Sequence, residues 1–291
     1  GNTWLAESKM QANVEIVNNR RKFAFDIIVN GSEGDDPKYQ LHKASVSIKQ
    51  NGKKIDTYTI WRGTSYIGYP MESGSASPYY TAIKKGAYYW APVNYGATRV
   101  AQANDGKDMK VAGTGNLYQW GRYEPTNHGT PVYSGPISNT RPGNNYFYTG
   151  VSDTRWSWLS SDINTLWNGS SKGTNDPCPP GYRVPTIDEF MSIGNATEWD
   201  GSGGLYKVNA ESGYPQLILP AAGYRPDTSG STTDLGTKGY YWSSSAPSSG
   251  YVPFGIVRST TLERTSNGRA YANSVPVSYT HLRAHETDSY L

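Results

Sequence analysis

Tyrosine, tryptophan and glycine dominate this chain: 24 Tyr, 9 Trp and 32 Gly stand against 5 Phe in 291 residues. Phenols and indoles pack at one end and hydrogen-bond at the other, while abundant glycine favours tight turns over long regular elements. The chain is thereby constrained toward short strands and loop-rich packing. Surfaces that bind sugars or proteins use the same residues, but for any single aromatic a place in the core is the better expectation.

The length corresponds to about two domains. The formal charge of +3 is spread along the sequence, without the clustered Lys and Arg that nucleic-acid binding requires. No run of about 18 apolar residues is present to span a membrane, and no basic-then-apolar leader opens the chain. It starts at Gly1 rather than Met, as a fragment or processed end would, so an export signal preceding it is compatible with the sequence. The single cysteine, Cys178, rules out an internal disulfide framework, and an odd cysteine in an exported protein suggests a missing partner.

Residues 277–291 (VSYTHLRAHETDSYL) read back through the genetic code as a transposon-end sequencing adapter. The expectation is that the natural frame is lost near Pro276. The tail, with two of the four histidines, is therefore set aside from fold reasoning.

Residues 1–64 read as antiparallel strands over 13–16, 22–29, 44–50 and 54–61. Asn51-Gly52 between two alternating runs is a strong hairpin signal. Residues 65–85, rich in Gly, Ser, Pro and Tyr, read as a linker or packed connection. In residues 86–276 the best helix opens at Thr186 in RVPTIDEFMSIG, with Thr186 and Glu189 spaced as a capping box and Gly194 as the stop. A second helix is expected over 160–167 (SSDINTLW). The fold class is thus mainly β with two short helices (α+β).

The N-terminal pattern, closing in HKASVSIKQNGKKIDTYTIWRG, resembles the BACON-type immunoglobulin-like modules of Bacteroidetes surface proteins, which implies a β-sandwich. Five strings then follow in order: YYWAPVNYG (88–96), GNLYQWGR (115–122), DPCPPGYRVPTIDEF (176–190), LILPAAGYR (217–225) and GYYWSSS (239–245). Together they look like the Fibrobacter succinogenes major paralogous domain, a C-type-lectin-like fold of exported gut proteins. That resemblance implies that Trp90, Trp120 and Trp242 are scaffold, and that Cys178 natively pairs with a cysteine in a closing strand which this chain lacks. A disulfide closing such a loop would contribute roughly 2–4 kcal/mol. The alternative is a free, buried thiol.

Catalytic chemistry is not expected. Outside the tail, His42 and His128 lie far apart and form no metal-ligand spacing. Formylglycine-generating enzymes share a motif similar to RVPTIDEF, but they need two active-site cysteines and this chain has one. Glu124-Pro125-Thr126-Asn127 and Glu198-Trp199-Asp200 look like elements of a calcium-dependent sugar site, in the wrong order and with one residue too many. No metal or cofactor is therefore assigned.

The leading expectation is an exported, non-enzymatic binding or adhesion protein at a cell or outer-membrane surface, engaging a glycan or protein ligand. Two alternatives are a phage or bacterial receptor-binding protein diversified by a retroelement, carried on a virion or cell, and a structural fimbria-associated subunit. The diversified segment would be 243–273, displaying Tyr251, Phe254, Arg258, Arg264, Asn267 and Arg269, since Tyr and Arg anchor interfaces and Asn adapts. Tyr224 and Arg225 join this set from the loop 224–238, with the loop 127–145 beside it.

Overall fold

Alternating apolar and polar residues separated by turn signals become paired strands throughout. The computed structural model describes the backbone of 12–17, 20–25, 42–50, 53–62, 68–70 and 79–81, and residues 83–278 with their side chains except 98, 151–155, 170, 179–181, 210, 212–215 and 247–250, together with the backbone of 279. The chain divides into two compact units, Gly1–Gly63 and Thr64–Leu291.

In the first unit β1 (Ala12–Val17) pairs antiparallel with β2 (Arg20–Phe25), and β3 (His42–Gln50) with β4 (Lys53–Arg62). Gln50 faces Lys53 across the Asn51-Gly52 connection, as the dipeptide predicts. The expected continuation of the second strand to Val29 falls outside the described residues.

The second unit runs β5 (Gly68–Pro70), β6 (Tyr79–Thr81), β7 (Ile83–Lys85), β8 (Tyr88–Trp90), α1 (Val111–Thr114), β9 (Leu117–Gln119), β10 (Val132–Tyr133), β11 (Phe147–Tyr148) and β12 (Tyr182–Arg183). It continues with α2 (Ile187–Met191), β13 (Glu198–Asp200), β14 (Leu205–Val208), β15 (Leu217–Pro220), β16 (Gly239–Trp242), β17 (Val252–Arg258), β18 (Thr261–Asn267), β19 (Ala272–Ser274) and β20 (Ser278–Tyr279). The residues expected as a linker are thus partly paired, β5 with β6 and β7 with β8. Pairing also extends past Pro276, because β20 lies between β8 and β12. A strand there needs backbone groups and an inward apolar residue, and Val277 is buried. Residues 280–291 lie outside the description.

The main sheet has the order β18-β17-β16-β19-β9. Its strand β16 (GYYW) is buried on both faces, which explains its unbroken aromatic run. Tyr240 and Trp242 pack with Tyr118, Trp120, Trp167 and Phe254 on one side. Tyr241 packs with Trp90, Phe190, Tyr206 and Leu219 on the other. The rings find their polar partners in backbone carbonyls: Trp242 Nε1 donates to Tyr118 O at 2.6 Å, Trp120 Nε1 to Ser243 O at 2.9 Å and Tyr241 Oη to Pro220 O at 2.6 Å. Trp90, Trp120 and Trp242 are all buried.

Helix α2 is nucleated by the predicted capping box: the Glu189 N–H donates to Thr186 Oγ1 at 3.2 Å and the Thr186 N–H to Glu189 Oε2 at 2.7 Å. Its Phe190 seats against Gly255, where a Cβ would lie 2.4 Å from the ring. The helix expected over 160–167 does not form; this stretch is turns and bends. Tertiary partners hold its carbonyls instead, Ile163 O accepting from Arg269 and Leu166 O from the Asn175 N–H. The other short helix is α1, which the sequence did not signal.

Gly223 turns the chain toward the loop 224–238 with φ +65°, and a Cβ there would lie 2.2 Å from Thr233 O. Gly223→Ala is expected to destabilise the protein by about 2 kcal/mol or more, read as a lowered urea midpoint at constant slope.

Candidate functional site

An aromatic ladder climbs from the core to solvent at the end of the main sheet. Trp242 meets Phe254 edge-on at 5.4 Å, Phe254 lies 6.1 Å from Tyr240, and Tyr240 lies 4.3 Å from Tyr224. Tyr224 stacks on Tyr271 at 5.6 Å with an interplanar angle of 12°. The geometry follows from pairing: Tyr240, Trp242 and Phe254 project from one face of β16 and β17, and Arg225 bridges to Ala272 so that Tyr224 and Tyr271 flank the bridge. Tyr224 and Tyr271 are half-buried, and Tyr251 at the start of β17 is 40 % exposed.

The polar groups at this face are fixed. Tyr240 Oη donates to Asp234 Oδ2 at 2.5 Å, and Lys238 Nζ pairs with the same oxygen at 3.1 Å. Asn267 lies beside the Tyr271 phenol. Asp227 is only 6 % exposed, and burial pushes its carboxyl above the ordinary range. Burial, then the nearby carboxylates Asp234 and Asp227, push the Tyr224 phenol up. Burial, then Asp227, do the same for Tyr271. Neutral phenols offer flat apolar faces and hydrogen bonds rather than nucleophiles, so the arrangement is suited to binding.

Of the residues expected at a ligand surface, Tyr224 and Asn267 belong to this face, and Tyr251 lies near enough to Tyr271 to act on its phenol. Arg258 lies on the same face of β17 and is exposed, paired with Glu263 at 2.5 Å. Arg264 projects to the opposite side, where it pairs with Asp188 of α2 at 2.8 Å. Phe254, Arg225 and Arg269 are corrections: all three are buried and cannot be displayed. Phe254 is a rung of the ladder. Arg225 donates to Gly230 O, Thr126 O, Asn127 O, Thr130 Oγ1 and Thr130 O, with its guanidinium 4.5 Å from the Phe147 ring centre. Arg269 donates to Ile163 O and Asn164 Oδ1 over the Trp120 ring. A guanidinium presents five donors in a plane and stacks on aromatics, which suits it to gathering loop carbonyls inside a protein. These arginines tie together loops that are distant in the chain.

Sequence reasoning missed Tyr271, Tyr240 and Asp227. Tyr240 was legible only as core, and no local pattern brings Tyr271 to Tyr224.

The remaining candidates are structural. Cys178 is a free, buried thiol; burial first, and the Asp176 carboxylate second, hold its pKa well above the ordinary thiol value. Asn127 accepts from the Leu117 N–H at 2.8 Å and donates to Asn116 Oδ1 at 2.8 Å. Glu124 Oε1 accepts from the Gly143 N–H, Glu198 pairs with Lys207, and Asp200 closes the turn at Ser202 and Gly203. Among the described residues no group of three His, Cys, Asp or Glu is placed to hold a metal ion.

His128 lies under the loop 224–238 with Nε2 3.0 Å from Ala222 O, so Nε2 carries a proton, and Nδ1 accepts from Thr232 Oγ1 at 3.1 Å. Burial first, then the nearby Arg225 charge, hold its pKa below the ordinary 6.5. The unfolded chain therefore takes up this proton first, and stability falls as pH drops below about 6.5 until the folded value is reached. Unfolding midpoints between about pH 5 and 7.5 should show a slope that His128→Asn reduces.

The protein is mainly β with short helices, and among the described residues no helix is long and apolar enough to cross a membrane. No family model, curated protein or solved structure matches the chain.

Proposed function

We propose that this is an exported, non-enzymatic binding protein, an immunoglobulin-like module followed by a C-type-lectin-like head whose Tyr224–Tyr271–Tyr251 face meets a glycan or protein ligand on a cell surface. The observation that carries this reading is the aromatic ladder. Its inner rungs are locked in the core, its outer rings are half-buried or exposed, and its phenols are neutral. A rigid aromatic surface loses little conformational entropy on binding. The antiparallel hairpins of the first unit, and the central sheet with the capped helix α2, support the two fold assignments.

The test is binding of the purified protein to a printed array of neutral and acidic glycans and to fixed bacterial cells. Tyr251→Ala and Tyr271→Ala are expected to weaken the captured ligand about tenfold, as loss of an interface anchor does. Tyr251→Ala should leave the melting temperature unchanged. Unaltered binding in both variants rejects the face.

A second reading, a receptor-binding protein diversified within 243–273, is favoured by the β17–β18 hairpin. Buried Val252, Phe254, Val257 and Leu262 there form a frame under exposed Tyr251, Arg258 and Arg264, whose side chains can change without disturbing it. Sequencing many gene copies from the source community decides it: variation confined to the exposed positions supports diversification, and a constant segment rejects it.

A further inference from the structure

A second exposed aromatic pair stands apart from the ladder. The two residues of β10 are both solvent-facing, Val132 at 45 % and Tyr133 at 47 % exposure. Tyr146 stacks on Tyr133 with ring centres 4.3 Å apart and planes within 22°, and Tyr148 lies 6.5 Å from Tyr133. One face of the Tyr133 ring is thus covered by a parallel ring while nearly half of the residue stays in water.

The support beneath the pair is a network of hydrogen bonds around a buried arginine. Arg122, fully buried, donates to Tyr146 O and, at 2.7 Å, to Asn144 O, with its guanidinium beside the Tyr148 and Trp158 rings. Gln119 donates to Tyr148 O at 2.6 Å and accepts from the Tyr148 N–H at 3.1 Å. Asn144 closes the back, accepting from the Tyr146 N–H and donating to Tyr148 Oη. Burying a guanidinium costs stability that an apolar side chain would not. Here it fixes the backbone of Asn144 and Tyr146, the residue whose ring backs Tyr133, as a preorganised binding surface requires.

The segment that carries the pair is nearly uncharged. Between Gly129 and Tyr148 the only Lys, Arg, Asp or Glu is Arg141, which is turned away onto the Tyr123 ring and the Asn175 side chain. The remaining polar side chains of that segment are neutral amides and hydroxyls, with Ser134 and Asn145 exposed. An acidic sugar finds no cation in it.

We infer that the Tyr133–Tyr146 pair is a stacking platform for an uncharged sugar ring, a site independent of the Tyr224 face. The C–H face of a pyranose would lie on the open side of Tyr133, and its hydroxyls would exchange hydrogen bonds with the phenols and the neutral amides around them.

Affinity electrophoresis of the full chain tests this in gels containing soluble mixed-linkage β-glucan, galactomannan or xylan, with polygalacturonate as the acidic control. The wild type should be retarded in at least one neutral gel and not by polygalacturonate. Tyr133→Ala should weaken that retardation about tenfold, Tyr133→Trp should retain it, and Tyr133→Ala should melt with the wild type, since this ring carries no core. Absence of retardation in every neutral gel, retardation by polygalacturonate alone, or retardation unchanged in Tyr133→Ala overturns the proposal. Loss in Tyr251→Ala with none in Tyr133→Ala assigns sugar binding to the Tyr224 face and likewise overturns it. Failure of Tyr251→Ala to matter while Tyr133→Ala does leaves this site standing without the other.

Discussion

Arg225→Met should cost the protein about 3–5 kcal/mol, more than any exposed substitution on the same loops. The side chain is 1 % exposed and makes five hydrogen bonds: Nε to Gly230 O at 2.7 Å, Nη1 to Thr126 O, Asn127 O and Thr130 Oγ1, and Nη2 to Thr130 O at 2.9 Å. Methionine retains much of the packing against Phe147 but leaves four buried or half-buried carbonyls without this donor, and those carbonyls belong to two different loops. Burial lowers the guanidinium pKa to about 10, so the group is charged at neutral pH and its hydrogen bonds are charge-assisted. The melting temperature should fall by roughly 10 °C or more. Hydrogen exchange should accelerate first at the amides of Thr126, Thr130 and Gly230, because these are the backbone segments that the guanidinium ties together. Arg225→Lys should fall between wild type and methionine, since an ammonium keeps the charge but cannot reach carbonyls on both sides of a planar fork. A variant with wild-type stability would mean that the loops hold their own shape and that the arginine is incidental.

Glu189→Ala should be comparably damaging, for a different reason. The carboxylate is buried and bridges Arg183, through Nη1 at 2.7 Å and through Nη2, while accepting the Thr186 N–H at 2.7 Å. Its removal strands a buried guanidinium and opens the cap of α2 at once, for about 3–5 kcal/mol from the charge and about 1 kcal/mol from the cap. Glu189→Gln keeps the size and one acceptor, and so should lose less. The neighbouring pair Arg264–Asp188 is the exposed comparison: it has a single contact at 2.8 Å between side chains 53 % and 85 % exposed, so Arg264→Ala should shift the denaturation midpoint little. Equal losses from the two pairs would show that burial is not what gives the Glu189 pair its weight.

These two residues mark the boundary of what the sequence made legible. The capping box could be read from TIDEF because a helix start is decided within four residues, and the same is true of the Asn51-Gly52 hairpin. Trp242 was expected in the scaffold through the family resemblance alone, and its strand GYYW is buried along its whole length. Arg225, Phe254 and Arg269 were misread as display residues. Arginine is ordinarily exposed, and the carbonyls Arg225 and Arg269 serve lie 95 to 106 residues away in the chain, except Gly230 O. Residues 160–167 carried a helical spacing, but Arg269 and Asn175 took their carbonyls and the local preference yielded.

What the sequence determined by itself, then, was the class of fold and the kind of surface: short strands, one capped helix opening at Thr186, and tyrosines that pack at one end and bond at the other. Those follow from side-chain chemistry and from spacings of a few residues. Which tyrosines reach solvent was decided only by the tertiary structure. The exposed Tyr133 stacks on Tyr146, whose carbonyl Arg122 holds, and the Tyr224 face rests on a bridge between residues 225 and 272. Such contacts join segments with no local pattern in common, and their free energy appears only once the core that brings them together has formed.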